Sequence, residues 1–275
     1  MIFINTRPAS RSAALSQYLM AQDIEVVQLP LLELVARELD ASDAFALTQL
    51  LAGAYQAIVV VSETAVSYGL NQLALLTDKP LLNTTFVAVG EATAMLLQQG
   101  WQARFTTPCP PIITPTQAQL PENNEGMLAL PTIRHLMAGD KVLLWRGVGG
   151  RELLADTLKD RGVIVDSIAF YQRQLPTVSL SLWQQLYQNK RLPTTTNTHL
   201  SACDNQTVWV LISSLTAWQY WQQLIAATPI KLDEFGYIAL QSRIAEHIKA
   251  CGIVKLQVID NLQPTSIHQA LLSTL

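Results

Sequence analysis

Apolar residues along this chain gather in short unbroken runs, and between the runs they recur at helical spacing. The first run, Ile2-Phe3-Ile4-Asn5-Thr6-Arg7-Pro8, breaks at an arginine. A helical pattern over Ala13 to Gln22 and a second run, Ile24 to Leu29, follow it. Val142-Leu143-Leu144-Trp145-Arg146-Gly147 repeats that design, with a helical pattern over Glu152 to Asp160 and then Val163-Ile164-Val165. Ala57-Ile58-Val59-Val60-Val61-Ser62 has its echo in Val208-Trp209-Val210-Leu211-Ile212-Ser213. Phe86-Val87-Ala88-Val89-Gly90 is echoed more weakly by Tyr237-Ile238-Ala239-Leu240-Gln241. Continuous apolar runs indicate strands buried on both faces of a parallel sheet. Their alternation with helical patterns (Glu91 to Gln99 and Ser242 to Ala250 are two more) indicates βαβ units. The repetition predicts an α/β protein of two similar halves. Such folds bind ligands beyond the carboxyl ends of their strands, and the cleft between halves is the expected place.

Gly100, Gly162 and Gly252 each follow a helical run, where a left-handed C-cap favours glycine. The segment from Thr106-Thr107-Pro108-Cys109-Pro110-Pro111 to Pro121-Glu122-Asn123-Asn124 is proline-rich and polar and reads as a surface loop, as does Leu192 to His199. Leu29-Pro30-Leu31-Leu32-Glu33-Leu34-Val35 and Ile168-Ala169-Phe170-Tyr171-Gln172-Arg173 are candidate connections between the halves.

Composition narrows the function. Of 275 residues, 49% are apolar and 14% charged, which describes a compact chain and not a disordered one. A net charge of −3 with no basic run argues against nucleic acid. Cys109, Cys203 and Cys251 share no metal-ligand spacing and read as free thiols of a reducing compartment. The four histidines are scattered, so no metal site is expected. No stretch reaches membrane-span length and no leader is visible, so a cytoplasmic protein is expected.

The candidate chemistry sits where strands end. Gly147-Val148-Gly149-Gly150-Arg151-Glu152 follows a strand and opens a helix. It is either a plain tight turn or a cradle for an anion, helped by Arg146 and Arg151. A dinucleotide is disfavoured, because the fingerprint's third glycine is replaced by the carboxylate of Glu152. Ser62, Thr64, Thr93, Ser213 and Ser214 stand at strand-to-helix turns. They are N-caps, rims of a ligand cleft, or both. No serine has the setting of a hydrolase nucleophile. Tyr171 is either a packed ring or a proton donor to a leaving group.

Taken in order, these pieces resemble uroporphyrinogen-III synthase across nearly the whole chain. The matching segments are Thr6-Arg7-Pro8, Leu29-Pro30-Leu31, Val60-Val61-Ser62 with Ala65-Val66, Val89-Gly90 with Thr93-Ala94, Trp145-Arg146-Gly147 with Gly150-Arg151, Phe170-Tyr171-Gln172-Arg173, Leu211-Ile212-Ser213-Ser214 and Pro264-Thr265. The resemblance implies two flavodoxin-like, doubly wound parallel-sheet domains that exchange their first βαβ units. Residues 1–35 and 175–275 would form one and 36–170 the other, with a two-stranded linker near 30–36 and 168–175. It also implies the reaction: cyclisation of hydroxymethylbilane to uroporphyrinogen III in haem biosynthesis, with inversion of ring D, loss of water and no cofactor. The substrate would come from the preceding enzyme of the pathway, and the protein would be a monomer.

That substrate carries eight carboxylates. Arg7, Arg146, Arg151 and Arg173 are then the expected cationic contacts, with Ser62, Thr64, Thr93, Gly147, Gly150, Ser213, Ser214 and Ser242 around them. Replacing Arg146 is expected to raise the Michaelis constant. Tyr171 matches the family's nominee for assisting departure of the hydroxyl. One departure stands out: Gln241-Ser242-Arg243-Ile244-Ala245 lacks the glycine and threonine of the Gly90–Ala94 turn. The rival readings are a non-catalytic two-lobed protein binding a small acidic ligand, and a nucleotide-dependent enzyme using the Gly147–Gly150 turn.

Overall fold

The computed structural model describes residues 1–150, 152–189, 192 and 207–274. They form two compact units, one of Met1–Glu33 with Gln174–Leu275 and one of Leu34–Arg173. In the first, β1 (Ile2–Asn5), α1 (Ala9–Met20) and β2 (Glu25–Gln28) open the chain. The second carries β3 (Glu33–Ala36), whose first residue belongs to the first unit, then α2 (Ala41–Leu51), β4 (Ala57–Val60), α3 (Glu63–Leu76), β5 (Thr85–Ala88), α4 (Glu91–Gln102) and β6 (Ile112–Ile113). It continues with α5 (Asn124–Ala129), α6 (Pro131–Arg134), β7 (Lys141–Gly147), α7 (Leu153–Asp160) and β8 (Ile164–Gln174). The chain then returns to the first unit through α8 (Thr177–Gln188), β9 (Val208–Ile212), α9 (Leu215–Ala226), β10 (Gly236–Leu240), α10 (Ser242–Lys249), β11 (Leu256–Ile259) and α11 (Pro264–Leu272).

The first sheet runs β2-β1-β9-β10-β11 and the second β8-β7-β4-β5-β6, with β3 added beside β8. Apart from the β3–β8 edge, every neighbouring pair is parallel. The first sheet has the doubly wound order 2-1-3-4-5, and the second has the same order once β7 and β8 are counted as its first two strands and β4, β5 and β6 as the next three. The β1-α1-β2 unit lies with β9–β11, and β7-α7-β8 lies with β4–β6. This is the exchange of first βαβ units that the family resemblance implies.

Both sheets are covered on both faces, which is why their strands read as unbroken apolar runs. In the first unit, Ile4, Val210 and Ile212 pack with Trp183, Trp221 and Phe235 on one face. Phe3, Trp209 and Leu211 pack with Leu15 and Ile267 on the other. The second unit divides Ile58, Val60, Leu143 and Trp145 from Ala57, Val59, Val142 and Leu144 in the same alternating way. Burying each such aliphatic or aromatic side chain contributes about 1.5–3 kcal/mol.

Four expectations change. α1 begins at Ala9, right after Pro8, whose fixed φ suits a helix start. Gly100 does not end a helix. It lies inside α4, where a Cβ would come 2.7 Å from a methyl of Leu70 on α3, so glycine there allows close helix packing. Gly162 and Gly252 do adopt left-handed φ angles of 79° and 80°. The proline-rich segment contributes β6 as an edge strand, because Ile112 and Ile113 pair with Phe86 and Val87. Val163–Val165 and Ile168–Arg173 are not separate pieces: β8 starts at Ile164 and runs on through Arg173 to Gln174. Residues 193–199 lie outside the described residues.

Candidate active site

In the second unit, β4, β7 and β8 end side by side. Val61 N–H still donates to Trp145 O, 3.2 Å away, so Ser62 is the first residue beyond the ladder. Its backbone is extended, and its side chain accepts from Ala65 N–H at 3.1 Å, capping α3. A serine at this turn satisfies a helix N–H that would otherwise lack a partner.

The register of β7 on β8 is regular up to Arg146 opposite Ala169, then jumps to Gly147 opposite Tyr171. Phe170 is the extra residue of a bulge. Bulges re-aim side chains, and this one has a visible effect. Neighbours on a strand normally point to opposite faces, yet Phe170 and Tyr171 are both buried in the same apolar cluster. Val148 N–H closes the irregularity on Tyr171 O at 2.8 Å.

The Tyr171 ring is fixed on two sides. Tyr68 of α3 stacks on it, with centroids 6.1 Å apart and planes 20° off parallel. Gly147 provides the other contact: a Cβ there would stand 2.5 Å from two of its ring carbons. The phenolic oxygen lies 3.0 Å from Ser62 Oγ. Tyr68 in turn donates to Leu34 O at 3.3 Å. The result is a phenol on a rigid strand at the positive end of a helix, an arrangement suited to proton donation.

The glycine-rich turn does something other than cradle a free anion. Arg146 is 7% exposed and holds both carboxylate oxygens of Glu152 at 2.7 Å, with Gly150 O at 2.6 Å. Arg146 is thus committed internally and does not stand free for a substrate carboxylate. Its hydrogen bonds hold the Glu152 carboxyl below its ordinary range. Such a depressed pKa stabilises the fold above the ordinary carboxylate range, and the contribution is lost as pH falls through the depressed value. The Glu152 side chain is 57% exposed, so solvent screens the pair, and Arg146→Ala is expected to lower stability by about 1 kcal/mol in a denaturant titration, leaving the Michaelis constant unchanged. A raised constant with unchanged stability would restore the cradle. Gly149, with φ of 71°, shapes the turn. Arg151 lies outside the described residues.

The N-terminus of α4 is also filled from within. Glu122, from the proline-rich segment, accepts from Glu91 N–H at 2.9 Å and from Thr116 Oγ1 at 2.7 Å. Those bonds, the Thr116 hydroxyl foremost, lower its pKa. A Cβ at Gly90 would come 2.5 Å from the Glu122 carboxyl, so a larger residue there would push this flexible side chain off the helix end. Thr93, expected on a rim, is buried in the first turn of α4. Thr64 is half-buried beside Ser62, and Arg173 is exposed on the last stretch of β8.

In the first unit, Asn5 is fully buried, donates to Ser16 Oγ at 2.9 Å and accepts from Arg7 N–H at 3.2 Å. It fixes the turn that presents half-buried Arg7, which has no carboxylate within ion-pair distance among the described residues. Thr6 donates to Leu211 O. Ser214 caps α9 through Ala217 N–H at 3.0 Å, with Ser213 half-buried before it. The altered turn differs in backbone as well as sequence. Gln241 has φ 67°, where a side chain is strained, and Ser242 is exposed beside it. Pattern reading overlooked Asn5, Tyr68 and Glu122. The polar end of an otherwise apolar run was the available signal for Asn5.

Among the described residues no group of three or more His, Cys, Asp or Glu side chains could hold a metal ion, and no helix is long and apolar enough to cross a membrane.

Two doubly wound sheets with exchanged βαβ units, and polar side chains gathered at their strand ends, define a two-unit α/β protein of the ligand-binding or enzyme class. The family model for uroporphyrinogen-III synthase HemD matches residues 13–264, and the chain belongs to that family, which serves haem and tetrapyrrole biosynthesis. A uroporphyrinogen-III synthase of Proteus mirabilis is 33% identical over 174 residues, 63% of this chain and 80% of that protein. One of Salmonella typhimurium is 32% identical over 178 residues, 63% of this chain and 65% of that protein. A crystal structure of a mutant uroporphyrinogen III synthase from Thermus thermophilus aligns over 99% of both chains with a TM-score of 0.54. At 12% identity that likeness concerns the fold.

Proposed function

We propose that this chain cyclises hydroxymethylbilane to uroporphyrinogen III, inverting ring D and releasing water, as a hydro-lyase without an organic cofactor. The observation that carries the reading is the Tyr171 hydroxyl, set 3.0 Å from Ser62 Oγ at the first turn of α3. Loss of the substrate hydroxyl leaves a cation stabilised by the adjoining pyrrole nitrogen, so the chemical step needs modest help. One positioned proton donor supplies that help, and Tyr171 takes the role. The harder task is to hold the outer rings so that the inverting closure wins over the simple one. Orientation of that kind demands shape and not a strong base. Arg7, Arg173, Thr64, Ser213, Ser214 and Ser242 are the contacts proposed for the substrate's carboxylates, together with exposed backbone N–H groups.

The test is to supply hydroxymethylbilane generated in situ and separate the oxidised products by isomer. A product dominated by the type III isomer is expected. Type I alone, the outcome of unaided closure, would overturn the reading.

A further inference from the structure

We propose that Ser62 is a positioning residue for Tyr171, one that turns the phenolic proton outward and holds the charge left when it departs. The inference rests on the reaction proposed above.

A serine hydroxyl has one proton to give and two lone pairs to accept with. Ala65 N–H occupies one lone pair of Ser62. The contact with Tyr171 at 3.0 Å can then run in either direction. If Tyr171 donates, its proton points into the protein and serves no substrate. If Ser62 donates, the phenol keeps its proton for an outside acceptor. The setting favours the second arrangement. Ser62 stands at the N-terminus of α3, a helix of 14 residues, where partial positive charge favours electron density on the neighbouring oxygen. The ring has little freedom to choose another partner, because Tyr68 and Gly147 fix it on two sides.

The step balances. Tyr171 gives its proton to the departing hydroxyl, the carbon–oxygen bond breaks with its electron pair on oxygen, and water leaves. The tetrapyrrole is left as a cation and Tyr171 as a phenolate, which receives the Ser62 hydrogen bond. The closing pyrrole then bonds to the cation, its α-carbon that carried hydrogen releases one proton as the ring regains aromaticity, and the phenolate takes that proton back. Ser62 needs no contact with substrate in this scheme. It acts through Tyr171 and not as one more carboxylate contact.

The experiment uses Ser62→Ala and Ser62→Thr, each alone and combined with Tyr171→Phe, in isomer-resolved turnover. Ser62→Ala is expected to lower kcat on the order of tenfold, with KM unchanged, since one hydrogen bond to a charged oxygen is lost. Ser62→Thr keeps both the cap and the hydroxyl and should recover most of that loss. In the Tyr171→Phe background, Ser62→Ala should cost nothing further. An equal loss with and without the phenol, or a raised KM alone, would overturn the proposal by making Ser62 an independent contact. The ¹³Cζ resonance of Tyr171, followed in the free protein, separates this from the reaction itself. It should move in Ser62→Ala and return in Ser62→Thr, and an unmoved resonance refutes the hydrogen bond. A resonance that moves in a protein that makes only the type I isomer would strike down the reaction, and the proton transfer with it, while the contact stands.

Discussion

Tyr171→Phe is expected to cut turnover about a hundredfold, the lower edge of what a positioned general acid contributes, because the leaving step is easy in itself. The substitution removes one oxygen and keeps the ring. The ring is what the fold uses: Tyr171 packs in the same cluster as Trp145, Ile168 and Phe170, and it stacks on Tyr68. The phenolic oxygen's hydrogen bond with Ser62 disappears along with it, so stability should fall by no more than about 1 kcal/mol. Rates of type III formation and a thermal melt together decide the matter. A fully active variant removes the phenol from the mechanism. An inactive variant that melts far lower would show that the hydroxyl supports the fold instead.

Gly147→Ala should come close to the same loss by a different route. The new methyl would lie 2.5 Å from two Tyr171 ring carbons, and Tyr68 already stacks on that ring. Something must shift. Overpacking of this kind costs about 1–3 kcal/mol. If the phenol moves by about 1 Å, turnover can fall by roughly two orders of magnitude. The two meanings of Gly147 are separable here. An anion cradle predicts a raised KM, because the backbone could no longer approach a carboxylate. A platform for Tyr171 predicts a lowered kcat with KM held. Full activity in a variant of normal stability would free the ring position from any role.

Pattern reading served the strands well and the site unevenly, for a physical reason. Val142–Trp145 and Val208–Ile212 are buried on both faces, so composition alone marks them. Gly147 was visible as a glycine after a strand. What it accommodates was not, because the Tyr171 ring arrives from another strand through a bulge that depends on pairing register. Gly100 misled in the same way: its close neighbour, Leu70, belongs to another helix. Arg146 was legible as a cation at a strand end. Its partner Glu152 lies only six positions on, and a carboxylate there is hostile to a pyrophosphate, so their pairing was within reach of the sequence. Glu122 was not, since only the folded path of the proline-rich segment carries it to Glu91.

The exchange of βαβ units also orders events during synthesis. β1 is an interior strand of its sheet, between β2 and β9, and the hydrogen bond from Thr6 to Leu211 spans 205 positions. A ribosome releases β1-α1-β2 first and its sheet partners last. All of Leu34–Arg173 emerges in between and is contiguous, so that unit can close while the chain's opening segment still lacks its partners. Phe3, Ile4, Leu15 and Leu19 then wait with their apolar surface unburied until β9 appears. Long-range pairing of this kind is slow and exposed to aggregation. The nascent chain therefore needs protection longest at β1-α1-β2, and slowing translation after residue 173 would lengthen that exposure without touching the site around Tyr171.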